Sequence, residues 1–232
     1  MIRGAVFDLD GTLANTPTAI SRLLVDVAAE LGVTVTPEQA APTIGKPLEP
    51  SLAALLGCAV DDPRTVRATD RYRALFDQEV LSQGADLLFP GVGQGLRALQ
   101  SQGIHLAVAT SKISPSAEKL LTATGLRDLF GPVIGNDMVR RGKPDPEMGL
   151  RAAAELHIAP QDCAYIGDTV TDLRMARAAG MVPIAVTYGV DSPNALAHHT
   201  QWLLSTFPDV VHTLTDLAAT TARERQCLKD SS

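Results

Sequence analysis

Cysteine is scarce: Cys58, Cys163 and Cys227 are the only three in 232 residues, far apart, odd in number and without a CxxC pair. That spacing offers no disulfide framework and reads as reduced, packing thiols of a reducing compartment. No apolar run reaches membrane-spanning length, and there is no low-complexity tract and no internal repeat. Positive charge is also short, since 20 Lys and Arg against 26 Asp and Glu leave a formal charge of −6. Bulk attraction to nucleic acid or to an anionic membrane is thereby excluded. An anionic substrate is not, because a few local lysines and a metal ion outweigh a distant negative surface. The opening MIRGAVFDLD sets Asp8 and Asp10 where a signal peptide needs apolar residues, so a cytoplasmic protein is expected.

What remains is an ordinary globular composition, 45% hydrophobic and 20% charged, at a length that buries one core or a core with a smaller insert. IRGAVFD (2–8) is a short apolar run ending in acid, which suits a buried strand. IHLAVAT (104–110), PVIG (132–135), AYIGD (164–168) and VPIAV (182–186) repeat that form. Helical patterns lie between them: one opens at Ser114-Pro115 and closes at Gly125, one follows Asp145-Pro146, and one runs from Thr169 to Ala179 before Gly180. Alternation of this kind predicts an α/β fold, a Rossmann-like parallel sheet covered by helices on both faces.

Residues 15–87 break the rhythm. Thr16-Pro17 starts a helix whose Ile20, Leu23, Leu24, Val27, Ala28 and Leu31 share one stripe, with Gly32 at its end. Helical stretches follow around Pro50–Leu56 and Pro63–Leu81, with no convincing strand between them. We therefore expect a core of residues 1–14 and 88–232 carrying an all-helical insert, residues 15–87, directly after the first strand. TARERQCLKDSS at the end is polar and expected to fray.

Ligands of parallel α/β sheets bind at the carboxyl ends of the strands. Four such ends carry matching polar residues: Asp8-Leu9-Asp10-Gly11-Thr12, Thr110-Ser111, the loop Gly142-Lys143-Pro144, and Gly167-Asp168-Thr169-Val170-Thr171-Asp172. Together they supply the parts for phosphoryl transfer, in which positioning and charge neutralisation do most of the catalysis. A carboxylate such as Asp8 attacks phosphorus only if the phosphate's charge is cancelled, which Mg²⁺ does with oxygen ligands. Asp8 and Asp168 offer two, and the main-chain carbonyl of Asp10 a third. Asp172 lies close enough to hold a water on the metal or to steer a ligand, though it also suits a helix cap. Lys143 faces the phosphate and Asp8 and favours the ionised nucleophile. Thr110 and Ser111 donate to phosphate oxygens. Asp10, two residues beyond the nucleophile and on its face of the strand, serves as acid and then base.

DLDGT at 8–12, TS at 110–111, GKPDP at 142–146 and GDTVTDLRMARAAGM at 167–181 together resemble the haloacid dehalogenase-like hydrolase superfamily. The helical insert after the first motif looks like the class with a helical cap that includes the phosphoglycolate phosphatases. The resemblance runs from Ala5 to about Gly189. It implies Asp8 as nucleophile, Asp10 as acid and base, Thr110 and Lys143 on the phosphate side, Asp168 as a metal ligand, and a cap that closes over a small phosphorylated metabolite. Asn15 departs from the pattern, since many relatives have an acid there; Asn keeps the capping ability and loses the charge.

Other features read more plainly. Lys112 is expected to face solvent, GVGQG (91–95) to be a connector because its spacing is not that of a dinucleotide loop, and His198-His199 to be a surface pair. Lys46, held between Gly45 and Pro47, is either a specificity residue reaching the leaving group or a solvated lysine, with Arg71 and Arg73 as the next candidates. A phosphomutase of the same superfamily is the rival activity. Mutases of the β-phosphoglucomutase kind carry a cap His twelve residues after the nucleophile, where this chain has Ile20. A catalytically silent binding protein on the same fold is the rival from another class; against it stand the intact Asp8, Asp10, Lys143 and Asp168.

Overall fold

Each expected apolar run becomes a strand: β1 (Gly4–Phe7), β2 (His105–Ala109), β3 (Val133–Ile134), β4 (Cys163–Gly167) and β5 (Val182–Val186). The computed structural model, which describes the main chain of residues 1–229 and the side chains of residues 1–219, adds a short sixth, β6 (Leu203–Leu204). All six pair in parallel in the order β3-β2-β1-β4-β5-β6, with β1 central. Successive strand residues face opposite sides. Phe7, Val108 and Ile166 join one apolar layer, while Val6, Ala107 and Tyr165 join the other.

Helices cover both layers, as buried parallel strands require. The insert supplies α1 (Pro17–Glu30), α2 (Pro37–Ala40), α3 (Leu48–Leu56) and α4 (Pro63–Leu75), and α4 continues as a π-helical turn over Phe76–Val80. The sheet is flanked by α5 (Val92–Ser101), α6 (Ser114–Ala123), α7 (Glu147–Glu155), α8 (Val170–Ala178), α9 (Pro193–Ala197) and α10 (Phe207–Lys229). Met148 and Ala152 of α7 and Met175 of α8 close the Tyr165 side. The apolar stripe of α1, from Ile20 to Ala28, is continuous with the layer on the Phe7 side, so insert and sheet share one core.

The insert hangs on two adjacent segments. Asn15 N donates to Leu87 O (2.7 Å), Phe89 N donates to Leu13 O (3.1 Å), and Ala14 and Leu88 form an antiparallel bridge. Asn15 is therefore part of the tether, and the N-cap of α1 is Thr16. GVGQG is not a connector, because Gly91 caps α5 and the rest begins the helix. A Cβ on Gly95 would come within 2.7 Å of Val211 and 2.8 Å of Phe207, so the glycine lets α5 seat against α10. The fraying expected of residues 221–232 falls outside the described side chains.

Candidate active site

The carboxyl ends of β1, β2 and β4 converge beneath the insert. The main chain of β1 stays paired one residue past the strand, with Asp8 N donating to Ile166 O (3.0 Å). It then turns at Gly11, whose φ of +80° and whose missing Cβ, which would lie 2.2 Å from Asp168 Oδ2, both require glycine. Gly189 makes the same close approach from the far side, where a Cβ would lie 2.3 Å from that of Asp168. Asp168 thus sits between two glycines, fully buried, accepting from the Thr12 hydroxyl (2.7 Å) and from Val190 N (2.8 Å). Burial first, then Asp172 and Asp8, push its carboxyl well above the usual range.

Asp172 opens α8 in a reciprocal cap. One carboxylate oxygen accepts from Thr169 N (3.0 Å) and the Thr169 hydroxyl (2.6 Å), while Asp172 N donates to Thr169 Oγ1 (3.2 Å). Its other oxygen lies 2.7 Å from Lys143 Nζ. The same side chain thus caps α8 and pairs with Lys143. Lys143 Nζ is also 3.1 Å from Asp8 Oδ1, and its side chain is 2% exposed. Burial opposes the ammonium, but Asp172 and Asp8 outweigh it and hold Lys143 above the ordinary lysine range. Burial lifts Asp8 to about 6 against the pull of Lys143, with Asp172 and Asp10 adding to the rise.

Carboxylate oxygens of Asp8, Asp168 and Asp172 all lie within 4.8 Å of one another. Asp8 Oδ1 is buried and makes no hydrogen bond, being near Lys143 but not aligned with it. Three crowded oxygens, one of them unbonded and two acids pushed upward by burial, are the donor set that a hard divalent cation fits. The Asp10 side chain lies outside this group, which leaves only its main chain for a cation.

Asp10 instead accepts from the Thr16 hydroxyl at Oδ1 (2.5 Å), and its Oδ2 is 3.1 Å from Lys112 Nζ. Lys112 is thus not the solvent-facing residue expected. Its side chain is 13% exposed and its ammonium lies 4.1 Å from the centroid of the Phe76 ring. The sequence pattern missed both Thr16 and Lys112; the only signal was a lysine directly after the strand-end hydroxyls. Thr110 extends β2 by donating its N–H to Ile134 O (3.0 Å), and its hydroxyl accepts from Lys112 N (3.3 Å).

A cavity of about 70 Å³ lies between sheet and insert, bordered by Asp8, Asp10, Thr110, Ser111, Lys46 and Tyr72. Lys46 also remains open to solvent. Its loop comes close to the start of α8: a Cβ on Gly45 would lie 3.2 Å from Thr169 Cγ2. Ile20 lines the cavity at the mutase histidine's place. Arg73 borders it as well but pairs with Glu49 (2.5 Å), whereas Arg71 pairs with Glu30 (2.8 Å) on the exposed outer face of the insert.

Residues 5–186 match the family model described as haloacid dehalogenase-like hydrolase. Probable phosphatase IndB of Dickeya dadantii (strain 3937) is 43% identical over 208 residues, 89% of this chain and 90% of that protein. The phosphoglycolate phosphatase of Shigella boydii serotype 4 (strain Sb227) is 33% identical over 215 residues, covering 84% and 85%. A crystal structure of a haloacid dehalogenase-like hydrolase from Bacteroides fragilis superposes with a TM-score of 0.80 at 29% identity, over 90% of this chain and all of that one. Among the described residues no helix is long and apolar enough to cross a membrane.

Proposed function

Because the chain belongs to the haloacid dehalogenase-like hydrolases, and within them is a phosphoric monoester hydrolase of the phosphoglycolate phosphatase-like group, we propose that it hydrolyses a small phosphomonoester through a phosphoryl group carried on Asp8. A carboxylate oxygen of Asp8 attacks phosphorus and the ester P–O bond breaks. Asp10 gives its proton to the departing alkoxide oxygen. A water then yields a proton to Asp10 and attacks the phosphorus, the bond to Asp8 breaks, and inorganic phosphate leaves. Thr110, Ser111 and Lys143 bind the non-reacting phosphate oxygens, and Asp172 holds Lys143 in place. Asp8, Asp168 and the main chain of Asp10 would hold Mg²⁺, with Asp172 beside them. When bound, the cation would cancel the charge of the phosphate that Asp8 must approach.

Residues 15–87 act in this reading as the cap, closing over a core of residues 1–14 and 88–232. The cavity between them is bordered by residues of both, and the relatives named for phosphoglycolate favour a short leaving group. The partner is then a small anionic metabolite of the cytoplasm, not nucleic acid. Ile20 in place of a cap histidine favours hydrolysis over phosphomutation.

One observation carries the proposal: the buried Asp8 carboxylate, raised to about 6, 3.1 Å from Lys143 and within 4.8 Å of two further acids. It tests directly. Asp8→Asn is expected to keep the fold, lose nearly all turnover of p-nitrophenyl phosphate with Mg²⁺, and fail to bind beryllofluoride, which in the unaltered protein settles on Asp8. Substantial turnover by the variant would refute the covalent route.

A further inference from the structure

Two lysines of the sheet domain grip consecutive residues of the insert at the π-helical turn that follows α4. Lys119 on α6 pairs with Asp77 in the open, with side chains 59% and 39% exposed. Lys112 meets the Phe76 ring in the interior, 4.1 Å from its centroid. The extra residue of a π-turn widens the helix, and such turns recur at functional sites. Here it presents Phe76 and Asp77 to the same neighbouring domain.

The two grips differ in what lies behind them. Behind Lys119 is solvent. Behind Lys112 is Asp10, whose Oδ2 lies 3.1 Å from the ammonium. The Asp10 carboxylate is thereby held at both oxygens, by Lys112 from the β2 end and by the Thr16 hydroxyl from the start of α1. Lys112 is itself fixed at its root by donating its N–H to the Thr110 hydroxyl, beside the proposed phosphate site. The Lys112–Asp10 contact is an ion pair with side chains only 13% and 9% exposed, and the ammonium over a ring face adds a second restraint.

We propose that Lys112 is a positioning residue that sets the Asp10 carboxylate in register with the insert, so that acid–base function depends on the insert being seated through Phe76. The proposal rests on the reading of Asp10 as acid and base. Movement of Phe76 relative to the sheet displaces the ammonium, and the carboxylate it holds follows. Lys112 and Phe76 both border the cavity; in this proposal Lys112 acts by where it places Asp10 and not by binding substrate.

Steady-state kinetics with phosphoglycolate, whose leaving oxygen needs a proton, and p-nitrophenyl phosphate, whose oxygen hardly does, test this. Lys112→Met keeps an unbranched side chain of similar reach and removes the ammonium from both Asp10 and the Phe76 ring. It is expected to lower kcat for phosphoglycolate about 10- to 100-fold with KM changed less than threefold, and kcat for p-nitrophenyl phosphate less than fivefold. Lys112→Arg is expected to restore most of the loss. Asp10→Asn/Lys112→Met is expected to be no slower than Asp10→Asn alone, because the lysine acts through the acid. Lys119→Ala, which removes the exposed grip, is expected to leave the ratio of the two substrates unchanged. A Lys112→Met effect that multiplies with Asp10→Asn, or that appears in KM alone, would make Lys112 a substrate ligand and overturn the proposal. So would the absence of any effect. The acid reading fails separately, if Asp10→Asn alone slows both substrates equally.

Discussion

The two sides of the cavity are built in different ways. On the sheet side, Lys143 is 2% exposed and lies between two carboxylates, 3.1 Å from Asp8 and 2.7 Å from Asp172. On the insert side, Lys46 stands on an exposed loop and has no charged partner among the described residues. Ion pairs within the insert such as Arg22–Glu79 and Arg71–Glu30 are surface pairs, screened by solvent and weak. One side is thus fixed before any ligand arrives and suits chemistry common to every phosphate ester. The other is free to adjust and suits discrimination among leaving groups. If that division is right, substitutions on the sheet side damage all substrates and often the fold, and those on the insert side damage only some substrates.

Lys143→Met is expected to have the largest effect. It leaves Asp8 and Asp172 buried without their cation, so unfolding free energy should fall by about 3–5 kcal/mol. Turnover should fall roughly 10³-fold on every substrate, as when a preorganised donor to a developing charge is removed. Denaturant melts and kinetics on two unlike esters check this. A variant as stable as the parent, or one impaired on a single ester, would erase the contrast between the two sides.

Asp10→Asn comes next and divides the sheet side itself. Because the Asp10 carboxylate lies apart from the acidic group, the variant should keep the parent's response to Mg²⁺ while losing roughly 10²-fold in kcat for alkyl phosphates. The loss for p-nitrophenyl phosphate should be much smaller. Loss of the Mg²⁺ response along with turnover would merge Asp10 with the cation ligands.

A third expectation concerns pH. Burial raises Asp8 from 3.8 to about 6 and pushes Asp168 higher than its ordinary value, so the folded protein binds these protons more tightly than the unfolded chain. Their contribution is fully present below about pH 4; that of Asp8 is lost as pH rises through 6, and that of Asp168 as pH rises through its own raised value. The rise of Asp8 alone amounts to about 3 kcal/mol. Exposed acids such as Glu147, held low by the main-chain amides of Arg140 and Arg141, act in the opposite sense in any variant. The measurement is therefore the difference between the parent and Asp168→Asn in chelator. The parent should lose more stability between pH 4.5 and 7.5, and Mg²⁺ at pH 7.5 should restore it in the parent only. Parallel curves would show that no charge strain is stored in the acidic group.

The same contrast explains what could be read from sequence. Two sheet-side residues follow apolar strands ending in acid, so Asp8 and Asp168 stand out from GAVFD and AYIGD, while Lys143 stands out from its place in the loop GKPDP. β6 did not, because Leu203-Leu204 is too short to show a period. The spacing Phe207, Val210, Val211, Leu214 does mark α10 as amphipathic, though the strand-and-helix rhythm had already ended by then. Lys112 was illegible for a deeper reason. Its burial depends on Phe76, which belongs to a different segment of the chain, and nothing next to Lys112 in sequence records that meeting. Asn15 misled in a simpler way, since Asn and Thr in succession both suit an N-cap and only the tether to Leu87 decides between them.

Lys46→Ala should give the smallest effect and the sharpest test of the insert's role. Gly45, at a φ of +81°, and Pro47 fix the turn on either side of Lys46, and the loop comes close enough to Thr169 that a Cβ on Gly45 would crowd it. Lys46 borders the same cavity as Asp8 without belonging to the buried acidic group. In the proposed reading, an anionic leaving group such as the carboxylate of phosphoglycolate would come within reach of Lys46 once its phosphate lies against Asp8. Loss of the lysine should then cost about 1–3 kcal/mol in kcat/KM for that substrate, the scale of one charged hydrogen bond. Hydrolysis of p-nitrophenyl phosphate, which has no second anion, should change less than twofold, and the melting temperature should stay within about a degree because the residue is exposed. Equal losses on both substrates would place Lys46 in the chemistry shared by all esters. No loss on either would pass discrimination to Arg73, which borders the same cavity but must first leave Glu49.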